Sequence, residues 1–152
     1  MTKAYPATVC SPRRHNGGPL VLKSAVNSRK IGGVRLHTLG DFYSVEYVRL
    51  WGRLLERHPG LHIWGYTAHW QVKDDPIAAA LIEVIERFGE RFAVRFSNAP
   101  IPFPHPTTIT IETARQKPAD AIICPEQLGK TESCSTCALC WQTRRQIAFL
   151  QH

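Results

Sequence analysis

The sequence has 152 residues, of which 43% are hydrophobic and 20% are charged, and its formal net charge is +7. These proportions exclude a largely disordered chain and predict one globular domain with a hydrophobic core. No apolar stretch reaches the roughly 20 residues of a membrane helix, and the N-terminal stretch shows no apolar segment of the kind found in secretory signals.

Proline and glycine are frequent in residues 1–33, so the sequence predicts an irregular N-terminal segment. The motif GGVRLH then predicts a short strand that ends near His37. A helix is predicted next, with Ser44 as its N-cap and the pair Pro59-Gly60 as its stop. Apolar residues recur along this helix at the spacing of one buried face.

The core continues with LHIWGY, which predicts a second strand, and with a second helix. Asp75 is a typical N-cap for that helix, Pro76 suits its first position and Gly89 suits its C-terminal end. FAVRFS predicts a third strand. Because strands and helices alternate, the expected fold class is α/β, with a β-α-β-α-β core in residues 34–123 and a mostly parallel, partial-barrel-like sheet.

Regular patterns are weaker in the C-terminal part of the chain. The four prolines of NAPIPFPHP predict an irregular loop that covers a surface or a site. TTITIET alternates as an edge strand would, and ADAIIC predicts a further core strand that ends at Cys124. For WQTRRQIAFLQH the pattern leaves helix and strand both open. We expect residues 124–152 to form a cysteine-rich, metal-binding segment packed on the core.

Four of the five cysteines fall within 17 residues, with the spacing C-x9-C-x2-C-x2-C. The lack of a signal segment leads us to expect a cytoplasmic protein, in which clustered cysteines bind metal more often than they form disulfides. A compact triplet with a distant fourth cysteine is typical of ferredoxin-type iron–sulfur binding. We therefore expect one [4Fe-4S] cluster, with the ligands Cys124, Cys134, Cys137 and Cys140.

Two alternatives to the cluster remain open. Four thiolates also suit a structural zinc ion, and His105 or His152 could replace a cysteine in such a site. The other alternative is a set of reduced thiols without metal. Cys10 stands apart from the others, and we expect it to be a free thiol in a loop rather than a fifth ligand.

Polar residues follow the predicted strands, and ligands bind at the carboxyl ends of parallel strands. We call this end of the predicted sheet the rim. His37 and Asp41 are candidates for acid–base catalysis, although His37 could be a hydrogen-bonded core histidine and Asp41 a helix cap. Ser44 fits a helix cap better than a nucleophile. No complete catalytic set can be assembled, so enzymatic activity is left open. The candidate ligand-binding residues at this rim are Thr38, Ser44, Tyr66, Thr67, Ser97 and Asn98, with His69 beside them.

The motifs LHTLGDFYSVEYVRLWGRLLERHP, YTAHW and CPEQLGKTESCSTCALCW resemble the phage "gene product 88" family over about residues 33–152. The family occurs in bacteriophages and in mobile or plasmid-borne bacterial DNA, and its name implies no reaction. Asp41 and Ser44 match its G-D-F-Y-S block, and the four clustered cysteines match its C-terminal cysteine pattern. Family members also carry an N-terminal cysteine-rich segment, similar to the cluster-binding loops of radical enzymes that use S-adenosylmethionine. No such motif is present in this sequence. The chain therefore resembles a shortened member of the family, and the missing motif argues against radical chemistry of this kind.

The sequence is compatible with two functions. The first is a metal-binding protein of phage or mobile-element type, with one iron–sulfur cluster and a ligand pocket at the rim. The alternative is a non-catalytic, zinc-stabilised module that binds nucleic acid or a host protein. The net charge of +7 and the resemblance to mobile-element proteins support this alternative, but the basic residues occur only in scattered pairs such as Arg13-Arg14.

Overall fold

A computed structural model describes residues 8–9, 32–37 and 40–151 of the protein. The segment 1–33, for which the sequence predicts irregular structure, therefore lies mostly outside the described residues. Single-turn 3₁₀ helices, Gly89–Arg91 and Ala114–Gln116, lie in two of the connections. In chain order, the strands and α-helices of the described ranges are β1 (Thr8–Val9), β2 (Gly32–Arg35), α1 (Val45–Arg57), β3 (Leu61–Thr67), α2 (Pro76–Phe88), β4 (Phe92–Ser97), β5 (Thr107–Ile111), β6 (Ile122–Ile123), α3 (Cys134–Cys137), α4 (Leu139–Gln142) and β7 (Ile147–Leu150).

The described strands form one sheet in the order β1-β2-β3-β4-β5-β7-β6. β1 pairs with β2 in antiparallel fashion, and every other pairing is parallel. α1 connects β2 to β3, and α2 connects β3 to β4. The predicted β-α-β-α-β core and its mostly parallel sheet are therefore confirmed.

The C-terminal strands differ in position from the prediction. The alternation of TTITIET predicts an edge strand, but β5 lies inside the sheet between β4 and β7. This prediction is wrong because the C-terminal stretch, whose pattern decided nothing, forms β7 and pairs with the second side of β5. ADAIIC does form a strand, β6, and it lies at the edge of the sheet. The backbone N–H of Cys124 extends this pairing by donating to the Ala148 carbonyl at 2.9 Å.

Both long helices begin at the caps that the sequence predicts. The Ser44 Oγ accepts a hydrogen bond from the Tyr47 N–H at 3.1 Å and starts α1. The Asp75 carboxylate accepts from the Ile77 N–H at 2.8 Å and starts α2, with Pro76 in the first turn. Such caps satisfy N–H groups that have no partner inside the helix. None of the helices in the described ranges has both the length and the apolar character to cross a membrane.

The two long helices pack on one face of the sheet, which we call the helix-covered face. Alternate residues of β3 and β4 point to it, and Ile63 lies opposite Phe92 in the register. Leu55 of α1 and Leu81 of α2 are fully buried in the same apolar cluster. Burial of one such side chain contributes roughly 1.5–3 kcal/mol, so this cluster is a main source of stability.

The opposite face of the sheet, which we call the concave face, is curled. β4 and β5 separate β3 from β7, and in a flat sheet they would hold these strands about 14 Å apart. The rings of Tyr66 on β3 and Phe149 on β7 nevertheless meet edge to face, with centroids 5.3 Å apart. The parallel strands therefore curve around this face, as expected for part of a barrel.

Candidate metal centre

The concave face encloses a cavity of about 170 Å³ beside the C-terminal segment. Arg35, the last residue of β2, lines it together with Tyr66 and Phe149. Because β2 and β6 lie far apart in the strand order, the curl of the sheet is what brings these walls together. All four clustered cysteines also line the cavity: Cys124 after β6, Cys134 and Cys137 in α3, and Cys140 in α4.

Short turns hold the last three cysteines. The Ser133 Oγ accepts a hydrogen bond from the Thr136 N–H at 3.3 Å and caps α3. Ala138 separates α3 from α4 with a φ of 55°, in the left-handed region that non-glycine residues seldom adopt. The chain turns sharply at this residue. The C-x2-C-x2-C motif thereby presents all its cysteines to one cavity within seven residues.

Arg95 holds against the sheet the stretch that carries Cys134, Cys137 and Cys140, which we call the cysteine segment. It lies on β4, is only 1% exposed, and donates exclusively to carbonyl oxygens in the hydrogen bonds described. Its partners are the carbonyls of Cys140 at 3.0 Å, Arg145 at 2.9 Å, Thr107 at 3.2 Å and Thr143. Burial lowers the pKa of Arg95, although nearby Cys140 opposes this effect. Arg95 was not predicted as a functional residue from the sequence; its signal is one arginine inside the apolar strand FAVRFS.

Tyr66 contacts one of the cysteines directly. Its hydroxyl oxygen lies 3.2 Å from the Cys140 Sγ. Burial raises the pKa of Tyr66, and Cys140 raises it further. Burial also raises the pKa of Cys140, against the lowering effects of the Tyr66 hydrogen bond and the Arg95 charge. Both groups are therefore protonated at neutral pH when no metal is bound.

Arg35 supplies a second guanidinium group to the cavity wall. Its central carbon lies 5.8 Å from the centroid of the Tyr66 ring, close enough for a cation–π contact. Its Nε atom is buried and has no hydrogen-bond partner among the described residues. A buried donor without an acceptor is unfavourable, so this Nε carries a cost in stability.

Within the described ranges, no group of three or more histidine, cysteine, aspartate or glutamate side chains is placed to hold a single metal ion. The metal-binding role of the C-terminal segment is therefore not shown, although its four expected ligands line one cavity. The cysteines are close enough for their charges to interact, because negative charges on Cys124 and Cys137 would raise the pKa of Cys140.

Asp41 and His69 tie together the loops that follow β2 and β3. Asp41 accepts hydrogen bonds from the N–H groups of Phe42 at 2.7 Å and Ala68 at 2.6 Å. His69 contacts the Asp75 carboxylate through Nδ1 and the Phe42 carbonyl through Nε2, both at 2.6 Å. Burial lowers the pKa of His69, but these hydrogen bonds and the charges of Asp41 and Asp75 outweigh it and raise the pKa overall. Asp41 therefore joins the loop after β2 to the loop after β3 through its hydrogen bond from the Ala68 N–H.

Other residues of the predicted rim also make local hydrogen bonds. The Thr67 Oγ1 accepts from the backbone N–H two residues later at 3.1 Å. The Asn98 Oδ1 accepts from the Thr110 N–H at 2.9 Å, and the Ser97 carbonyl accepts from the Trp70 Nε1 at 2.7 Å. Of the rim residues that the structure describes, Tyr66 alone lines the cysteine cavity. A ligand-binding role for the others stays a prediction.

His37 is buried beneath the rim, with 8% of its surface exposed. Its ring packs edge-on against Phe42, with centroids 4.7 Å apart, and neither ring nitrogen has a hydrogen-bond partner in the described part of the chain. Burial lowers the pKa of His37, while the charge of Asp41 opposes this change. His37 and Asp41 are therefore neighbours without a shared hydrogen bond, and their catalytic role stays a prediction.

Several residues named from the sequence lie away from the cavity or outside the description. Cys10, Thr38 and His152 are outside the described residues. His105 is described, and its ring packs against Phe96, with centroids 5.6 Å apart. It does not line the cysteine cavity, so the structure does not bring it together with the four cysteines.

Comparison with known proteins identifies related sequences. The profile of the family described as "Gene product 88" matches residues 21–143. Over 135 residues, the chain is 26% identical to the Gene 88 protein of Mycobacterium phage L5, and the match covers 76% of this chain and 53% of that protein. The chain thus spans about half the length of the curated relative it matches. No solved structure matches it.

Proposed function

Because the chain belongs to the gene product 88 family, whose name states no reaction, we propose its function from the chemistry of its cavity: the four clustered cysteines bind one [4Fe-4S] cluster. The observation that carries this proposal is that all four cysteines line a single cavity on the concave face. Their sequence spacing, three close together and one distant, agrees with that kind of ligation.

The size of the cavity favours a cluster over a single ion. A tetrahedral zinc site with Zn–S bonds of about 2.3 Å holds its sulfur atoms about 4 Å apart and leaves no open space between them. The cavity that the four cysteines line together with other residues measures about 170 Å³. A cavity of about 150 Å³ accommodates benzene, so several inorganic atoms fit a space of this size.

The charges around the cavity support an anionic occupant. Four thiolates give a [4Fe-4S] cluster a net negative charge. Arg35 lines the cavity, and the buried guanidinium of Arg95 hydrogen-bonds the Cys140 carbonyl. Positive charge in the wall of a cavity stabilises a negatively charged occupant. The residues present therefore fit the proposed group.

Each part of the chain has a distinct role in the proposed site. Cys124 is a ligand anchored to the edge of the sheet, because its N–H pairs with the Ala148 carbonyl. The other three cysteines are presented by α3 and α4, which Arg95 holds against β4. A bound cluster of this type accepts and donates single electrons and also cross-links its ligands.

The experiment is metal analysis of the protein purified without oxygen. We expect a brown protein that absorbs at roughly 400 nm and contains iron. Cys124→Ser, Cys134→Ser, Cys137→Ser and Cys140→Ser should each lose most of that iron. Cys10→Ser is the matched control and should keep it. Colourless wild-type protein with stoichiometric zinc would contradict the iron assignment, and full iron content in all four variants would contradict the site.

One surface feature favours a second candidate, a zinc-stabilised module that binds nucleic acid. Arg49, Arg53 and Arg57 recur at every fourth residue of α1, and all three are exposed. Such a row can contact successive phosphate groups, and the resulting affinity falls steeply with salt concentration. The measurement is binding to labelled DNA and RNA at increasing salt, for the wild type and a variant with all three arginines replaced by glutamine. Undetectable binding at low salt would remove this candidate.

A further inference from the structure

Tyr66 is held in place beside a cysteine sulfur. Its hydroxyl oxygen lies 3.2 Å from the Cys140 Sγ. Phe149 packs edge-on against the Tyr66 ring, with centroids 5.3 Å apart, and the Arg35 guanidinium carbon lies 5.8 Å from the ring centroid. With neighbours on two strands, the ring has little freedom to turn its hydroxyl away from the sulfur. The packing of the cavity wall therefore fixes the contact between the Tyr66 hydroxyl and the Cys140 sulfur.

Metal binding would fix the direction of this hydrogen bond. Without metal, either the hydroxyl or the thiol can be the donor. A metal-bound cysteine is a thiolate, which has no proton to donate and can only accept. Tyr66 would therefore donate its O–H to the Cys140 Sγ if Cys140 bound the metal. Hydrogen bonds to the sulfurs are among the factors that set the reduction potential of an iron–sulfur cluster.

Arg35 acts on the same cavity through its charge. The guanidinium lies in the wall, and its buried Nε has no partner among the described residues. One-electron reduction adds one negative charge to the cluster and its thiolates, while no bond breaks and no proton is required. A neighbouring positive charge and a donated hydrogen bond both favour the more negative state.

We propose that Tyr66 and Arg35 raise the reduction potential of the cluster, Tyr66 through its hydrogen bond to Cys140 and Arg35 through its charge. This inference rests on the proposed function, because it requires an iron–sulfur cluster in the cavity. The electron comes from an external one-electron donor, and the two residues set how readily the cluster accepts it. Neither residue is a metal ligand; both act on the cluster from the surrounding wall.

The test is a potentiometric titration of the anaerobically purified, full-length protein with dithionite, followed by the absorbance of the cluster. Tyr66→Phe removes one oxygen atom and keeps the ring. Its midpoint potential should be more negative than that of the wild type, so that the ratio of reduced to oxidised cluster at a fixed potential falls about tenfold. Tyr43→Phe changes a tyrosine that is 59% exposed, and this matched control should leave the potential unchanged.

Variants of Arg35 separate charge from shape. Arg35→Met should make the midpoint potential more negative, as Tyr66→Phe does. Arg35→Lys keeps the charge, so its midpoint potential should stay close to that of the wild type. Equal midpoint potentials in the wild type, Tyr66→Phe and Arg35→Met, all with full iron content, would overturn this inference and leave the cluster proposal standing. Wild-type protein without iron would overturn the proposed function and this inference together.

Discussion

The two faces of the sheet are built from alternate residues of the same strands, yet different forces hold their coverings. On β4, Val94 belongs to the apolar cluster beneath α1 and α2, whereas its neighbour Arg95 points to the concave face and binds the cysteine segment. On β3, Ile63 belongs to that apolar cluster, whereas Trp64 packs against Trp141 of α4, with ring centroids 4.7 Å apart. The helix-covered face depends on apolar burial, and the concave face combines aromatic packing with a buried cation and its hydrogen bonds.

Removing the Arg95 guanidinium should have the largest effect on the stability of the protein. Arg95→Met leaves four carbonyl oxygens without their donor, and each unsatisfied buried group costs about 1–3 kcal/mol. We expect the free energy of unfolding, measured with urea, to fall by about 4 kcal/mol. Arg53→Met, at an exposed arginine of α1, is the control and should change it by less than about 0.5 kcal/mol. Equal stability of the two variants would show that the guanidinium does not hold the segment.

A cavity in the helix-covered face should have the next largest effect. Leu81 is fully buried, so Leu81→Ala should lower the free energy of unfolding by about 3 kcal/mol. Leu50→Ala, at a residue that is 41% exposed, should change it much less. Iron content per folded chain should match the wild type, because the cysteine cavity lies on the other face. If folded Leu81→Ala protein lost its iron, the two faces would not be independent.

Loss of a helix cap should have a smaller effect that is confined to the helix-covered face. Ser44→Ala removes the oxygen that accepts from the Tyr47 N–H, so the free energy of unfolding should fall by about 1 kcal/mol. Ser44→Gly, which allows water to reach the same N–H group, should cost only a few tenths of a kcal/mol. Denaturation by urea distinguishes the two variants. An unchanged stability in Ser44→Ala would contradict the capping role.

The smallest expected effect is the pH dependence that comes from His69. Burial lowers the pKa of His69, but its hydrogen bonds to Asp75 and the Phe42 carbonyl, with the charge of Asp41, raise it above the usual value of about 6.5. The resulting stabilisation is present below about pH 6.5 and disappears as pH rises through the raised pKa. It should amount to less than about 1 kcal/mol, because the pair is partly exposed.

Urea unfolding between about pH 6 and about pH 9 measures this dependence. Wild-type protein should lose more stability with rising pH than His69→Gln, which has no group that titrates in this range at that position. Parallel stability curves for the two proteins would show that the loop contact between His69 and Asp75 is not electrostatic.

Local sequence patterns were sufficient to predict the helix-covered face. Ser44 and Asp75 cap α1 and α2 as expected, and FAVRFS coincides with β4. These signals depend on residues within a few positions of one another, so each can be read without knowing the fold. The parallel pairing of β2, β3 and β4 then followed from the alternation of strands and helices.

The concave face was harder to predict because its contacts are distant in sequence. Tyr66 and Cys140 are separated by 74 positions, and only the curl of the sheet brings them together. The place of β7 beside β5 depends on the same long-range pairing, which explains the wrong edge assignment. At the rim, polar residue types suggested ligand binding, but Asp41 and Asn98 accept hydrogen bonds from nearby backbone N–H groups. Composition cannot distinguish these two uses of a polar side chain.

We propose that the four cysteines on the concave face hold one [4Fe-4S] cluster. The most direct test of this claim is the content of iron and acid-labile sulfide in wild-type protein purified without oxygen. We predict about four iron atoms and about four sulfide ions per chain. A protein that contains zinc without sulfide, or neither metal nor sulfide, would contradict the claim.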